Sequence, residues 1–361
     1  MAGPAPLRLG IVGCGFISER HGQAAAACPE VSIVASCDVR VEAAEAWGRR
    51  YGCERVYDDY LTMIREHELD AVVLATWPNL HLEQVLGCLE AGVQNILCEK
   101  ALALGPAEAL EIWTAAAEAD ALVVEAYMYR HHPAIRAIDE LLAAREIGEI
   151  DNVSAAFSHL DTAETSPEDP GRDWRLRKEC GGGVPYDLAC YCVDACNRFA
   201  QALPRQVLAL ADTNERYGTV DRLYGLIEYE DGLVGLLESS KRSDSNHELR
   251  ISGSGGHVRL PVAWRIDSAT EVLVSRSVGW EKFETRRLPI PAVDSFRLQL
   301  ESFAAAVRGD AAPEPALAES VRNAITIDAL LASAAEHTMV TVELPEAVRG
   351  PLLASAVEAS A

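Results

Sequence analysis

A glycine-rich turn close to the amino terminus constrains the fold of this chain more than any other feature. The mostly apolar run Leu7–Val12 is typical of a buried strand, and an alanine-rich helix extends from the turn to about Cys28. Gly13 would form the tight turn, and Gly15 would let a pyrophosphate reach the backbone at the positive end of the helix. By itself this pattern predicts little, because a plain turn can contain the same glycines.

An acidic residue at the expected distance makes the pattern far more specific. A second predicted strand, Val31–Cys37, ends at Asp38, about 20 residues beyond the turn. A carboxylate there accepts hydrogen bonds from the adenosine ribose and repels a 2′-phosphate, which favours NAD, whereas Arg40 keeps NADP open. We therefore predict a dinucleotide site to which the first helical residues, Phe16 and Ile17, also contribute.

Strands and helices then alternate as far as residue 127. Helices are predicted at 42–51, 59–66, 80–91 and 106–119, and strands at 70–75, 95–98 and 121–125. This alternation predicts an α/β fold with a doubly wound, parallel Rossmann sheet. Right-handed crossovers bring the carboxyl ends of the strands to one edge, where ligands bind. The residues expected at the cofactor there are Thr76, Trp77, Pro78, Asn79, His81, Glu99 and Lys100.

Composition limits the classes of partner and the number of domains. A chain of 361 residues suggests about two domains, and a formal net charge of −23 argues against nucleic-acid and anionic-membrane partners. No apolar run approaches the roughly 20 residues that span a bilayer, and no signal peptide is recognisable, so we expect a cytoplasmic protein. The ten cysteines are expected to be reduced, buried thiols, and no metal site is predicted.

The second half of the chain has a different pattern. After a helix to about Arg145, strands are predicted at 206–211, 223–229, 233–239, 247–252, 257–261, 271–276 and 282–288. Short turns between them predict a large, mostly antiparallel open sheet in an α+β domain. Helices 294–307 and 317–336 and a strand 339–343 follow. We predict a dinucleotide domain at 1–127, a substrate-binding and oligomerisation domain at 128–345, and a loosely held tail at 346–361.

Two further stretches can carry chemistry. Three glycines from Gly181 open a predicted helix in which Asp187 and Tyr191 lie four residues apart, and so on one helical face. Lys100 ends a predicted strand at the cofactor edge, where a cation can polarise a carbonyl or favour ionisation of a hydroxyl. Taken alone, the pair could be a polar helix edge and the lysine a solvated charge.

An ordered set of motifs along nearly the whole chain resembles one known family. The motifs are GCGFIS (13–18), TWPNLH (76–81), AGVQNILCEK (91–100), EAYMYRHHP (125–133), IGEI (147–150), DWR (173–175) and GGG…D…Y (181–191). They resemble the glucose–fructose oxidoreductase, inositol dehydrogenase and rhizopine-catabolism (Gfo/Idh/MocA) oxidoreductases. The resemblance implies an NAD- or NADP-dependent enzyme, often paired with a second subunit through its C-terminal sheet as a homodimer or homotetramer.

The same resemblance implies roles for particular residues. Lys100 matches the lysine of the family's Glu-Lys-Pro motif, and Asp187 and Tyr191 match its Asp-x-x-x-His/Tyr pair. Tyrosine at the last position is similar to the branch that contains glucose–fructose oxidoreductase, dihydrodiol dehydrogenase, D-xylose dehydrogenase and deoxysugar ketoreductases. Ala101 replaces the motif proline, whose peptide bond can be cis, and Ala189 replaces a usual glycine.

We therefore expect hydride transfer between nicotinamide and the hydroxyl or carbonyl of a sugar, either a pyranose or a nucleotide-linked keto sugar. Tyr191 would transfer the proton, because a cation such as Lys100 about 4 Å away stabilises a phenolate by up to about 4 kcal/mol at a dielectric of 20. Asp187 would orient the substrate hydroxyls or the lysine. The weaker pocket candidates are Arg130, His132, Trp174 and Arg175. Cyclitol or dihydrodiol oxidation, and an inactive dinucleotide-binding regulator, are the alternative functions.

Overall fold

The computed structural model describes residues 5–160, 173–243, 247–264, 267–280 and 282–360. The chain divides into two compact units. The first comprises Met1–His131 together with Asp294–Ser320, and the second comprises His132–Val293 together with Val321–Ala361. The expected boundary lay at residue 127, and the return of a later segment to the first unit had no counterpart in the sequence interpretation.

The first unit has the expected parallel sheet. Its strands are β1 (Leu7–Val12), β2 (Val31–Cys37), β3 (Arg55–Tyr57), β4 (Ala71–Leu74), β5 (Asn95–Glu99) and β6 (Leu122–Ala126). They pair in parallel in the order β3-β2-β1-β4-β5-β6, which is the strand order of a Rossmann fold. The helices are α1 (Phe16–Ala26), α2 (Val41–Tyr51), α3 (Tyr60–Glu66), α4 (His81–Glu90) and α5 (Pro106–Glu118). This confirms the predicted doubly wound architecture.

The middle strands of this sheet form the core of the first unit. The side chains of Leu9 and Ile11 in β1, Val72 in β4 and Ile96 in β5 are completely buried. Helices cover both faces of a parallel sheet, so its central strands are continuous apolar runs without an exposed side. The short β3 was not predicted, because three residues do not establish a period.

The second unit contains a nine-stranded sheet. Helix α6 (Pro133–Ala143) precedes β7 (Ile150–Ser158), and α7 (Cys190–Ala200) precedes the remaining strands. These are β8 (Pro204–Thr213), β9 (Val220–Tyr229), β10 (Val234–Ser240), β11 (Leu249–Gly253), β12 (Gly256–Leu260), β13 (Thr270–Gly279), β14 (Lys282–Ile290) and β15 (Val340–Thr341). The order is β14-β13-β12-β11-β7-β10-β9-β8-β15, and all pairs are antiparallel except β7 with β10. The predicted antiparallel sheet is confirmed.

Helices cover one face of this sheet. A Cβ at Gly235 of β10 would lie 3.3 Å from the Sγ of Cys196 in α7, and one at Gly225 of β9 would lie 2.7 Å from Leu330. Leu330 belongs to α9 (Leu317–Glu336), which follows α8 (Ser295–Val307). The glycines therefore allow these helices to pack closely on the sheet.

The segment predicted as a tail is helical as far as Ser360. It forms α10 (Glu346–Ser360), and Val348 and Leu352 of this helix are buried. Within the described part of the chain, no helix combines the length and the apolar character that crossing a membrane requires.

Candidate active site

The turn after β1 leaves room for a ligand at the start of α1. Gly13 has φ +90°, and a Cβ there would lie 2.6 Å from the carbonyl oxygen of Ala75, so only glycine fits. A Cβ at Gly15 would meet no heavy atom within 4 Å. Helix α1 begins at the next residue, Phe16, which is exposed, and Ile17 is half-buried. Backbone N–H groups at a helix start bind phosphate, so this turn fits a dinucleotide pyrophosphate.

Asp38 is fixed against the same turn. Its Oδ2 accepts a hydrogen bond from the Cys14 backbone N–H (2.9 Å), and its Oδ1 accepts one from the Arg40 N–H (2.9 Å). The Arg40 Nε lies 3.5 Å from Oδ1, and the arginine side chain is 64% exposed. Each carboxylate oxygen can accept a further hydrogen bond, so Asp38 can still bind ribose hydroxyls. The residues present therefore fit NAD or NADP.

His81 connects two segments at the carboxyl edge of the sheet. Its ring is buried, with Nδ1 2.8 Å from the Ala101 carbonyl oxygen and Nε2 3.3 Å from that of Thr76. Burial lowers the pKa of His81, which favours the neutral ring. The histidine thus contacts the backbone of both segments. The peptide bond between Lys100 and Ala101 is cis. Of the other residues predicted in 76–79, Thr76 and Trp77 are half-buried, Pro78 is buried and Asn79 is exposed.

Glu99 is also an interior residue. Its Oε1 lies 2.7 Å from His21 Nε2, and its Oε2 accepts a hydrogen bond from the Lys100 backbone N–H at 3.3 Å. The side chains of Glu99 and His21 are buried, whereas Lys100 is half-buried. Glu99 therefore links α1 to the segment that carries Lys100. His21 was not identified from the sequence, because nothing in its local pattern separates it from other helical histidines.

Two of the weaker pocket candidates have structural contacts. Arg130 is buried and its Nη1 lies 3.2 Å from both carboxylate oxygens of Glu319. His132 in the second unit is buried at the start of α6, where its Nδ1 accepts a hydrogen bond from the Ala134 N–H at 3.1 Å. Burial lowers the pKa of His132 to about 4, so the ring is neutral at pH 7. Both residues thus have contacts within the fold, and their place in the substrate pocket stays a prediction.

Two of the three glycines before Asp187 allow close packing of backbone on backbone. A Cβ at Gly182 would lie 2.7 Å from the carbonyl oxygens of Arg175 and Arg177. Gly183 has φ +98° and forms an isolated bridge to Val220. The glycines therefore hold the segment containing Arg175 next to the helix that carries Asp187.

The helix geometry corrects the prediction of one regular α-helix. Residues Pro185–Ala189 form a π-helical turn, and α7 begins only at Cys190. Asp187 lies in the wider turn and Tyr191 lies in the first turn of α7. Such π-helical insertions occur frequently at functional sites. The 3.6-residue period used to place both side chains on one face does not describe this segment.

Asp187 is a buried carboxylate that has two cationic neighbours among the residues described by the structure. Its Oδ2 lies 3.1 Å from Arg175 Nε and 3.5 Å from Lys241 Nζ. The charge of Asp187 raises the pKa of Arg175, which therefore remains a cation, and Arg175 also lies 3.4 Å from Asp173. The Arg175 guanidinium stands 5.0 Å from the centre of the buried Trp174 ring. Lys241 was not identified from the sequence.

Tyr191 lies in an aromatic cluster. Its ring is 5.5 Å from that of Phe157 in an edge-to-face arrangement, and 6.0 Å from that of Trp264. Phe157 belongs to β7, and the Trp264 Nε1–H donates to the Ala156 carbonyl at 2.7 Å, which fixes the indole. Packing of this kind restricts the tyrosine ring. Ala189, which replaces the usual glycine, is also buried.

The side chains of Asp187 and Tyr191 have the chemistry that proton transfer on a hydroxyl-bearing substrate requires. A phenol held by aromatic packing can donate or accept a proton, and an ionised carboxylate can accept hydrogen bonds from hydroxyl groups. In the described ranges, no group of three or more His, Cys, Asp or Glu side chains could hold a metal ion.

Known proteins resemble the chain in sequence. Residues 7–127 match the model described as "Oxidoreductase family, NAD-binding Rossmann fold", and residues 139–344 match "Oxidoreductase family, C-terminal alpha/beta domain". A D-xylose 1-dehydrogenase (NADP(+)) of Haloferax volcanii is 30% identical over 87% of the chain and 92% of the relative. A dTDP-3,4-didehydro-2,6-dideoxy-alpha-D-glucose 3-reductase of Actinomadura kijaniata is 27% identical over 90% and 95%.

Solved structures resemble it in fold. A 3-ketoreductase from Actinomadura kijaniata, in complex with NADP and TDP-benzene, has a TM-score of 0.80 at 26% identity, covering 91% of this chain and 98% of that one. Levoglucosan dehydrogenase in complex with NADH has a TM-score of 0.84 at 24% identity, covering 94% and 100%, which shows the shared fold. Since both domain models match and together cover most of its length, the chain belongs to the Gfo/Idh/MocA family of NAD-binding oxidoreductases.

Proposed function

We propose that this protein transfers a hydride between NAD(P) and a sugar hydroxyl or carbonyl group, with a pyranose or a nucleotide-linked keto sugar as substrate. The observation that carries the proposal is the buried Asp187 carboxylate, which is paired with cations. It lies in the π-helical turn directly before α7, whose first turn holds Tyr191 packed against Phe157. The names of the xylose dehydrogenase and dTDP-keto sugar reductase relatives support a sugar substrate.

The proposed catalytic residues are Lys100, Asp187 and Tyr191. The bound nicotinamide would supply or accept the hydride. Tyr191 would donate the proton to the carbonyl oxygen during reduction, or remove it from the hydroxyl during oxidation. Lys100 would stabilise the phenolate form of Tyr191 electrostatically, and Asp187 would accept hydrogen bonds from substrate hydroxyls and so fix the sugar's orientation. Trp174 and Arg175 would border the sugar.

For the cofactor, we propose that Gly13, Gly15, Phe16 and Ile17 surround the pyrophosphate and that Asp38 binds the adenosine ribose. The open space at Gly15 and the anchored Asp38 carboxylate support this arrangement. The carboxylate favours NAD over NADP. The remaining predicted cofactor residues, Arg40, Thr76, Trp77, Pro78, Asn79, His81 and Glu99, would line or support the same edge.

A second candidate substrate class is a trans-dihydrodiol. Trans-1,2-dihydrobenzene-1,2-diol dehydrogenases of Xenopus laevis and Mus musculus are 27% and 28% identical to this chain, each over 74% of it. Cyclitols are a weaker candidate, because Tyr191 stands where the resemblance to inositol dehydrogenases would place a histidine. A regulator without catalysis is weaker again, since all three proposed catalytic residues are present.

The test is a spectrophotometric screen at 340 nm with NAD(H) and NADP(H). The panel contains free pyranoses including D-xylose, nucleoside-diphosphate keto sugars, inositols and trans-dihydrodiols. Turnover with a member of either sugar group, at a higher kcat/KM than with inositols or dihydrodiols, is the expected result. Turnover confined to dihydrodiols would favour the second candidate. Dinucleotide binding without turnover of any compound in the panel would favour the alternative of a regulator without catalysis.

We propose further that the protein is a homo-oligomer that pairs through the open face of the second sheet, opposite α7 and α9. Cross-strand neighbours on that face form two rows, Ser154-Leu236-Leu226-Leu208 and Ala156-Glu238-Tyr224-Leu210. They line a groove of ≈ 410 Å³, and Leu210 is 65% exposed. An exposed apolar face of this kind is typical of subunit contacts.

Sedimentation of the wild type and of the Leu210→Glu, Leu226→Glu double variant tests this interface. The wild type should sediment as a dimer or tetramer and the double variant as a smaller species. Equal masses for the two proteins would count against this face as the subunit interface.

We also propose a cytoplasmic location, which the burial of all ten cysteines as free thiols supports.

A further inference from the structure

Lys241 is a buried lysine next to the proposed catalytic carboxylate. Its side chain is 7% exposed and that of Asp187 is 5% exposed, and the ammonium lies 3.5 Å from Asp187 Oδ2. Removing an ammonium from water costs several kcal/mol unless an opposite charge compensates. Lysine is therefore an unusual choice at an interior position, and its ion pair with Asp187 offsets part of that cost.

Lys241 is attached to a more extensively hydrogen-bonded part of the backbone than Arg175, the other cation at this carboxylate. Lys241 directly follows β10, which pairs with β7 on one side and β9 on the other, and its N–H donates to the Asp221 carbonyl at 2.8 Å. Arg175, by contrast, lies in a short 3₁₀ turn, its side chain is 34% exposed, and it is shared with Asp173. The end of an interior strand of the sheet thus positions one of these two charges.

Both cations approach the same oxygen of Asp187, at 3.1 Å and 3.5 Å. Two charges on one carboxylate oxygen restrict rotation of the side chain and favour its ionised form. A carboxylate that must accept hydrogen bonds from a sugar benefits from both effects, since it has to be charged and correctly oriented before the substrate arrives.

We propose that Lys241 is a positioning residue that keeps Asp187 ionised and oriented for the sugar hydroxyls. This role rests on the proposed function, because Asp187 is taken to contact the substrate. It predicts that replacing Lys241 lowers kcat/KM for the sugar and leaves the affinity for the dinucleotide unchanged. Replacing a purely structural lysine would change both quantities, because the fold would be perturbed.

The kinetic test compares Lys241→Met with Lys241→Arg, and with Lys282→Met as a control at an exposed lysine of β14. Lys241→Met should lower kcat/KM for the sugar by about 10–100-fold, as expected when a catalytic group loses its orientation. Its Kd for NAD(H) or NADP(H), measured by fluorescence titration, should remain within about twofold of the wild type. Lys241→Arg, which keeps the charge, should recover most of the loss, and Lys282→Met should match the wild type.

A double-mutant cycle with Asp187→Asn separates positioning through Asp187 from an independent role. In the Asp187→Asn background, Lys241→Met should cost less than about threefold in kcat/KM, because the group that it positions is already altered. Fully multiplicative losses, or a Lys241→Met enzyme with wild-type kinetics, would overturn the inference.

A melting-temperature cycle makes the test independent of turnover. If the pair is formed, Asp187→Asn should lower the melting temperature less in the Lys241→Met background than in the wild type, since the interaction between the two side chains is already lost there. Additive decreases in melting temperature would overturn the pairing. Failure of the proposed function is distinguishable, because it would appear as wild-type protein that binds dinucleotide and turns over no sugar.

Discussion

At the scale of single residues, the Asp38 carboxylate accepts hydrogen bonds from the Cys14 and Arg40 backbone N–H groups. Arg40 extends into solvent beside it. A hydrogen-bonded negative charge and an exposed positive charge thus lie side by side at the place proposed for the adenosine ribose. The choice between NAD and NADP should depend on the balance between these two side chains.

Replacing Asp38 by serine should shift the ratio of NADP to NAD affinity towards NADP by about 10–100-fold. The change removes repulsion of the 2′-phosphate, leaves Arg40 able to bind it, and keeps a hydroxyl that can accept from Cys14. Calorimetric titration of each dinucleotide measures the ratio. Adding Arg40→Ala should reverse most of the gain. An unchanged ratio in Asp38→Ser would show that Asp38 does not contact the ribose.

Local spacing predicted some of the site residues and could not predict others. Asp38 follows a glycine turn at a fixed distance, and Lys100, Asp187 and Tyr191 lie in recognisable motifs. Lys241 lies far from Asp187 in sequence, and the two meet only because the second sheet brings the end of β10 to the π-helical turn. Contacts of this kind depend on tertiary pairing, which local patterns do not encode.

At the scale of elements, most helices and strands could be predicted from apolar periodicity. Helix α9 has the predicted bounds. The strand β7 was missed, although it lies in the middle of its sheet, because Asn152, Ser154 and the small Ala155 and Ala156 weaken its apolar pattern. The π-helical turn was missed for another reason: a helical sequence does not reveal an extra residue in one turn.

The start of α1 gives a prediction about the cofactor. Gly15→Ala should weaken dinucleotide binding by at least about tenfold without lowering the melting temperature, because the added methyl enters open space where the ligand must approach. Gly105→Ala is the matched control. It also has no neighbour within 4 Å, and it lies at the start of α5 in extended backbone. Equal binding by both variants would contradict the assigned pyrophosphate site.

The start of α6 gives a prediction about pH. Burial lowers the pKa of His132 from 6.5 to about 4, so the unfolded chain binds more protons between these values. The stabilising contribution of the neutral ring is therefore complete above pH 6.5 and is lost as the pH falls towards 4. Because asparagine also caps helices, His132→Asn should reduce this acid-induced loss by up to about 3 kcal/mol.

Urea unfolding of both proteins at pH 7 and pH 4.5 measures the difference. The wild type should lose more of its free energy of unfolding between the two values than His132→Asn does. Parallel losses would show that other groups control the acid sensitivity.

At the scale of the whole molecule, the alternation of strands and helices predicted the Rossmann unit, and short turns between strands predicted the second sheet. The return of Asp294–Ser320 to the first unit was not predictable in the same way. Its helix, α8, contacts α1 and the 3₁₀ turn Met128–His131, and such contacts between distant segments have no local signature. Membership of the oxidoreductase family, by contrast, could be predicted, because the motifs that indicate it are spread over both units.

Proton transfer by Tyr191, with the help of Lys100, can be tested by the steady-state kinetics of Tyr191→Phe. The change keeps the ring and its packing and removes only the hydroxyl, so kcat should fall by about 10²–10⁴-fold while dinucleotide affinity stays near that of the wild type. Tyr217→Phe is the matched control and should retain full activity.

Lys100→Met should be similarly damaging, and the Lys100→Met, Tyr191→Phe double variant should be little slower than either single variant, because groups that act together are not additive. Multiplicative losses would assign the two residues independent roles. A Tyr191→Phe enzyme with a near-normal rate would overturn the proposed mechanism, because the phenol would then have no part in proton transfer.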